Sequence, residues 1–452
     1  MKDSDIYRGL YRKEGKGEKT STGTLRKLIL ALITFSLVFL VVFSVGPFQG
    51  GKGTVKAPAG PQEKGPIEEA HPGSENWPSG NDNALFPKQE EEKGSIIRVK
   101  ATGDIMHHIE QAQRIDGDLE EAKREFALIA DYLCDADLTL ANFESSHDSD
   151  KPASGYPMFN TPATIFPAMK DAGFDVLSTV NNHTLDMRLT GVDQVLDLMR
   201  ENGLIPVGTR KEGEKDRFII MEVNGVKIGI LAYSYGFNGI EKAYDKALLD
   251  ERLNFMESDR IKEDIEACKA QGVDFIIGSI HNGIEYQTRE TQAMRENYRQ
   301  YAEWGMDAII GNHPHVVGPF ETYRAQDGRD CFIIYACGNF ISQQRYEVFD
   351  DYRVEHGVVV DMAIEKKGRD HARLVSVDFA PLWVRLTRDD KGLNYQTLSV
   401  EDYLKNPDKK AQLSDNEVKR VEEARREVYE TLYSKELPET EIKVMENPLG
   451  EK

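Results

Sequence analysis

Five short apolar runs in this chain each deliver polar, metal-capable side chains at or just past their carboxyl ends. IIRVKATGD delivers Asp104, LTLANFE delivers Asn142 and Glu144, and DVLSTVNNH delivers Asn181, Asn182 and His183. FIIGSIHNG delivers His281, and AIIGNHPH delivers His313 and His315. Runs of this length, rich in Ile, Leu, Val and Phe and bounded by Gly or Asn, read as buried strands. Four of the ten histidines fall in these segments and two more, His107 and His108, come just after the first, a concentration that scattered loop histidines do not produce. In open α/β sheets, ligands bind outside the carboxyl ends of the strands. The pattern therefore predicts an α/β fold in which several strand ends meet along one rim.

The residue types suggest the chemistry. Imidazole, carboxylate and amide without thiolate suit Mn, Fe or Zn and argue against a Cys-rich structural zinc site. A shared carboxylate can join two ions about 3.5–4 Å apart, an arrangement that clamps the oxygens of a phosphoryl group. Pro314 sits between His313 and His315 and disfavours the α region for His313, so an extended segment with the imidazoles at a fixed spacing is expected. No Gly-x-Ser-x-Gly follows a strand, so the cue for a serine hydrolase is missing. The cysteines are too few for a disulfide framework, and Cys331 and Cys337 read as one strand, about 20 Å apart when extended. Free, buried thiols are expected.

Charge and hydropathy divide the chain. Leu28–Val45 is eighteen residues without a charge, nearly enough at about 1.5 Å per residue to cross a hydrocarbon core of roughly 30 Å. Arg26 and Lys27 flank it, with Arg12, Lys13, Lys16 and Lys19 upstream. The positive-inside rule then makes residues 1–27 a cytoplasmic basic segment and 28–45 a transmembrane anchor, with everything after it outside. A cleaved signal peptide is the competing reading, but its apolar core is ordinarily shorter. Residues 46–94 are rich in Gly and Pro and read as a disordered linker. Residues 1–45 carry a net charge of +4, so the net charge of −20 leaves about −24 on the rest and excludes duplex nucleic acid as a partner.

Residues 95–400 alternate strand-like runs with helical patterns such as TGVDQVLDLMRENG and SDRIKEDIEACKAQG. FIIMEVNGVKIGILAYSY predicts a hairpin with Asn224-Gly225 in its turn. HGVVVDMAIE and RLVSVDFAPLWVRL have no helix between them and predict antiparallel additions. Residues 401–452 read as a charged C-terminal helix and tail, with the helix a solvated face.

The motifs GDIMHH, NFESS, NNHTLD, IHNGIEY, GNHPHVV and YACGNFI together resemble the CapA proteins of bacterial poly-γ-glutamate capsule synthesis and, more broadly, the calcineurin-like metallophosphoesterase superfamily. The resemblance runs from about Ile96 to Ile341 and more weakly to Thr387. It implies a sandwich of two mixed β-sheets flanked by helices and a centre of divalent metal ions, two in number. Carried over by position, Asp104 would ligate the first metal, Glu144 the bridging place, and Asn182, His281 and His313 the second metal. His315 would return to the first, and His183 would be the proton donor. This chain departs from the phosphoesterases twice. Met106 stands where they have a histidine, with His107 and His108 beyond it, and Glu144 replaces an aspartate.

Glu285 and Tyr286 either line a substrate cleft or are a helix cap and a core tyrosine. The resemblance implies a single-pass protein of the bacterial cell membrane with its C-terminal domain extracellular. Its implied partners are other poly-γ-glutamate synthesis membrane proteins and an anionic polymer. Two functions stay open: a metal-dependent phosphoesterase acting on a phosphorylated substrate, or a non-catalytic subunit that binds the growing polyanion.

Overall fold

The computed structural model describes residues 94–434 apart from 369, which belong to one compact unit. The cytoplasmic segment, the anchor, nearly all of the linker and the tail after 434 lie outside the described residues. No helix among the described residues is long and apolar enough to cross a membrane.

Among the described residues, fourteen strands form two mixed sheets. The larger contains β1 (Ser95–Ile105), β2 (Leu138–Phe143), β3 (Val176–Ser178) and β4 (Ile205–Val207) in parallel, each laid beside its predecessor. On the far side of β1 it continues with the antiparallel β12 (His356–Lys366), β13 (Arg373–Asp389) and β14 (Gly392–Ser399). The smaller sheet has β5 (Phe218–Val223), β6 (Val226–Ser234), β7 (Phe275–His281), β8 (Ala308–Asn312), β10 (Asp330–Ile334) and β9 (Phe320–Arg324), in that order. The hairpin at Asn224-Gly225 joins β5 to β6, and both turn residues have positive φ, 50° and 82°. The antiparallel additions, the two mixed sheets and the flanking helices are as the sequence predicts.

Side-chain alternation builds the layers, because successive residues of a strand face opposite sides. On β6, Ile228, Ile230 and Ala232 enter a core shared with Ile97, Val99, Leu138, Leu140 and Val176 of the other sheet. Leu231 and Tyr233 face outward instead, into a second cluster with Ile261, Ile265, Met294 and Tyr298 of the helices Ser258–Ala270 and Gln292–Trp304. Each such buried aliphatic side chain contributes about 1.5–3 kcal/mol relative to exposure.

Three local expectations are corrected. CFIIYACGNF is not one strand: β10 holds Cys331 in the smaller sheet, and β11 (Asn339–Ile341) pairs with β1 in the larger one. The chain crosses between the sheets at Tyr335–Gly338, where Gly338 has φ 69°. Cys268, Cys331 and Cys337 are free and buried, but Cys134, the last residue of a short helix, is exposed. The helix Asp415–Leu432 is not solvated all round. Val421, Ala424, Val428, Tyr429 and Leu432 recur at three- and four-residue spacing and are buried, while the charges occupy the other face.

Candidate metal centre

Strand register brings the site together. Asp104 on β1 pairs with Asn142 on β2 and Asn339 on β11, while His281 on β7 lies opposite Asn312 on β8. Two polar rows, one from each sheet, thus meet at the carboxyl-end rim. Close backbone packing sets the position of Asp104. Its N–H donates to Gly338 O at 3.0 Å, and a Cβ on the preceding Gly103 would fall 1.8 Å from that same oxygen.

Asp104, Glu144, His281, His313 and His315 are all buried. Asp104 Oδ1 accepts from Asn142 Nδ2 at 2.7 Å; its Oδ2 accepts the His313 backbone N–H at 3.2 Å and lies 3.2 Å from His315 Nδ1. Glu144 Oε1 lies 3.6 Å from His281 Nε2 and 3.7 Å from His315 Nε2. Ligand atoms of Asp104, Glu144 and His281 lie within 4.8 Å of one another, as do those of Glu144, His313 and His315. Glu144 belongs to both groups, which join Asp104 to His281 and His313 to His315, where the resemblance implies Asp104 with His315 and His281 with His313. Among the described residues both carboxylate oxygens of Glu144 lack a hydrogen-bond partner, as does His313 Nδ1. Leaving a buried polar atom unpartnered costs about 1–3 kcal/mol, and the donor set of carboxylates, imidazoles and an amide oxygen fits divalent cations.

The electrostatics agree. Burial and the Asp104 charge push the Glu144 carboxyl well above its usual range, so a cation between the two carboxylates would be favoured. Burial, reinforced by neighbouring imidazoles, holds His281 and His313 well below the usual histidine value, in the neutral form that ligates metals. Burial also lowers His315, but the adjacent Asp104 outweighs it and the net shift is upward.

The expected extended His-Pro-His segment is not found. His313 and His315 have φ values of 100° and 59°, sparsely populated for residues other than glycine and a form of strain that collects at functional sites. The turn brings both rings to Glu144, with centroids 5.9 Å apart.

Asn182 Nδ2 donates to Asn238 Oδ1 at 3.3 Å, which leaves its Oδ1 2.9 Å from His281 Nε2. His183 Nδ1 lies 2.8 Å from Asp186 Oδ2, and the ring meets Phe159 edge-on at 4.6 Å. Tyr286 is neither deep core nor remote: its ring is 6.0 Å from His315 and its N–H donates to Pro314 O at 2.8 Å. Glu285 is exposed, and its charge adds to the upward shifts of Glu144, Tyr235 and Tyr286, so it stands at the mouth of the site. Of the two histidines beyond Met106, His107 turns inward to pair with the buried Glu125 at 2.8 Å, and Met106 itself is core.

The sequence did not single out Tyr235, whose ring is 4.8 Å from His313, or Asn238, which holds Asn182. Both follow β6, a run that ends without carboxylate or histidine. The available signal was that β6 is parallel to β7 and so opens on the same rim.

Fold and site together define a class: a two-sheet α/β sandwich carrying a buried carboxylate–imidazole–amide cluster at its strand ends. The chain belongs to the bacterial capsule synthesis protein family PGA_cap, whose family model matches residues 98–344, a span containing every residue of the cluster. It is similar to the PGA biosynthesis protein CapA of Bacillus subtilis, at 23% identity over 65% of this chain and 75% of that protein. It is also similar to the capsule biosynthesis protein CapA of Bacillus anthracis, at 26% identity over 57% of this chain and 61% of that protein. Among solved structures, it is similar to the calcineurin-like phosphoesterase YfkN of Bacillus subtilis, at 18% identity with a TM-score of 0.40, over 74% of this chain and all of that one.

Proposed function

We propose that this chain is a membrane-anchored, extracytoplasmic component of the poly-γ-glutamate capsule machinery whose rim holds two divalent ions, of Mn, Fe or Zn, and there receives an anionic ligand. The observation that carries the reading is Glu144, a buried carboxylate that has no hydrogen-bond partner among the described residues and belongs to both candidate ligand groups. Asp104 and His315 would hold one ion, and Asn182, His281 and His313 the other, with Glu144 between. Divalent ions there supply Lewis-acid charge toward phosphoryl or carboxylate oxygens, and they would offset the repulsion between a polyanion and a strongly acidic domain. Leu28–Val45 is the proposed single-pass anchor in the bacterial cell membrane, and other membrane proteins of polymer synthesis are the proposed partners.

One observation favours the catalytic version, a phosphoesterase acting on an extracellular phosphorylated substrate. His183 is oriented by Asp186 beside the cluster, as a residue that moves a proton to or from a leaving oxygen must be. Glu285 and Tyr286 would then contact the substrate at the mouth.

The test is elemental analysis of the purified full chain, followed by turnover of p-nitrophenyl phosphate. About two divalent ions per chain are expected. A folded chain that takes up none from Mn, Fe or Zn solutions overturns the reading. Metal without turnover leaves the binding function and removes the catalytic one.

A further inference from the structure

His108 plays no part in the cluster described above, yet it lies beside it. Its ring meets Phe159 edge-on at 5.2 Å, and the same Phe159 ring meets His183 at 4.6 Å, so both imidazoles pack on one aromatic side chain. His108 is half-buried, and the titratable groups it senses are His315, His183 and His107.

The two imidazoles flanking Phe159 are held in opposite senses. His183 presents Nδ1 to the Asp186 carboxylate, which can only accept, so the proton sits on Nδ1. His108 Nδ1 instead accepts the backbone N–H of Gln343 at 3.4 Å. A ring nitrogen that accepts carries no proton, so neutral His108 has its hydrogen on Nε2. Among the described residues Nε2 has no hydrogen-bond partner, and the residue as a whole is half-buried. A fixed donor with nothing to donate to, next to a centre of metal-ligand composition, is a place prepared for an acceptor.

We propose that His108 binds ligand at this centre as a neutral imidazole whose Nε2–H donates to an oxygen of a bound oxyanion, phosphate or carboxylate. The proposal rests on the anion-binding reading given above. It divides the labour around Phe159: His183 exchanges a proton, and His108 holds the ligand without changing charge. Burial, with His315 and His183 behind it, lowers His108 to about 3, so it stays neutral throughout the physiological range. His108 is not itself a metal ligand in this arrangement, because its one nitrogen without a partner bears the hydrogen.

The experiment titrates inorganic phosphate into the Mn-loaded full chain by calorimetry, with metal content measured on the same samples. His108→Ala and His108→Asn should weaken phosphate about tenfold, to the same extent at pH 6 and pH 8. His108→Gln, which can place an N–H near the Nε2 position, should recover part of the loss. Metal per chain should stay at the wild-type value in all three, which also reports that they fold. Phosphate affinity unchanged in His108→Ala overturns the proposal. So does loss of metal, which would make His108 a ligand, and so does an effect confined to pH 6, which would require a charged ring. Failure of the Mn-loaded wild type to bind phosphate overturns both this proposal and the reading beneath it.

Discussion

Asp186 Oδ2 sits 2.8 Å from His183 Nδ1 and also accepts the backbone N–H of Phe159 at 2.7 Å. One buried carboxylate therefore fixes both the imidazole and the loop that packs on it. His183→Asn should lower phosphoester turnover by about a hundredfold or more with metal content unchanged. Asp186→Asn should lower it less, because the ring keeps its place but loses its anionic partner. Steady-state rates beside metal content check both. Loss of metal in His183→Asn would move His183 from proton transfer to ligation.

Glu144 faces both His281 and His315, so Glu144→Gln should remove metal more completely than Asp104→Asn or His313→Ala, each of which leaves the other group intact. Divalent ions per chain after dialysis against dilute chelator measure this. Equal retention in all three variants would contradict a shared carboxylate.

Gly103 has no room for a methyl group, because Gly338 O would be 1.8 Å from it. Gly103→Ala should destabilise the fold by about 1–3 kcal/mol or more and displace Asp104. Gly236→Ala, with nothing within 4 Å of the added carbon, should stay within about 0.5 kcal/mol. Denaturant melts of the two variants make the comparison.

His356 gives the fold a pH dependence separate from the centre. Burial, then Arg420 and Arg345, lower it to about 3 against the pull of Asp351; among the described residues neither ring nitrogen has a hydrogen-bond partner, and Glu427 Oε2 lies 3.4 Å from Nδ1. The unfolded chain takes up a proton near pH 6.5 and the folded chain does not, so stability falls as pH drops from about 6.5 toward 3, by up to about 1.4 kcal/mol per unit. From pH 7 to pH 5 the wild type should lose about 2 kcal/mol more than His356→Gln. Equal losses in urea unfolding at the two pH values would assign the slope to other groups.

The centre was legible in the sequence because β1, β2, β3, β7 and β8 are mainly apolar runs that carry their polar cargo at, or within a few residues of, their carboxyl ends. Strand and side chain are then read together. Tyr235 and Asn238 were not legible because their run ends in residues of no special chemistry, and only the pairing of β6 with β7 places them at the rim. The His-Pro-His turn was misjudged because proline's local steric preference was overridden by tertiary contacts, among them the His313 N–H bond to Asp104 and the Tyr286 bond to Pro314. The C-terminal helix misled through composition: five apolar residues among many charges suffice to dock it when they share one face. The departure at Met106 showed that a histidine was missing, but only the bond to Gln343 distinguishes His108 from His107.

Asp104 lies in the larger sheet, and Glu144 and Asn182 follow its strands β2 and β3; His281 lies in the smaller sheet, and His313 and His315 follow its strand β8. A cation seated among them would act as a rivet through the seam of the sandwich. Shearing the two halves apart at this edge and releasing the ion would then become a single event, and the proposed anion site would also be the place where the fold is hardest to prise open.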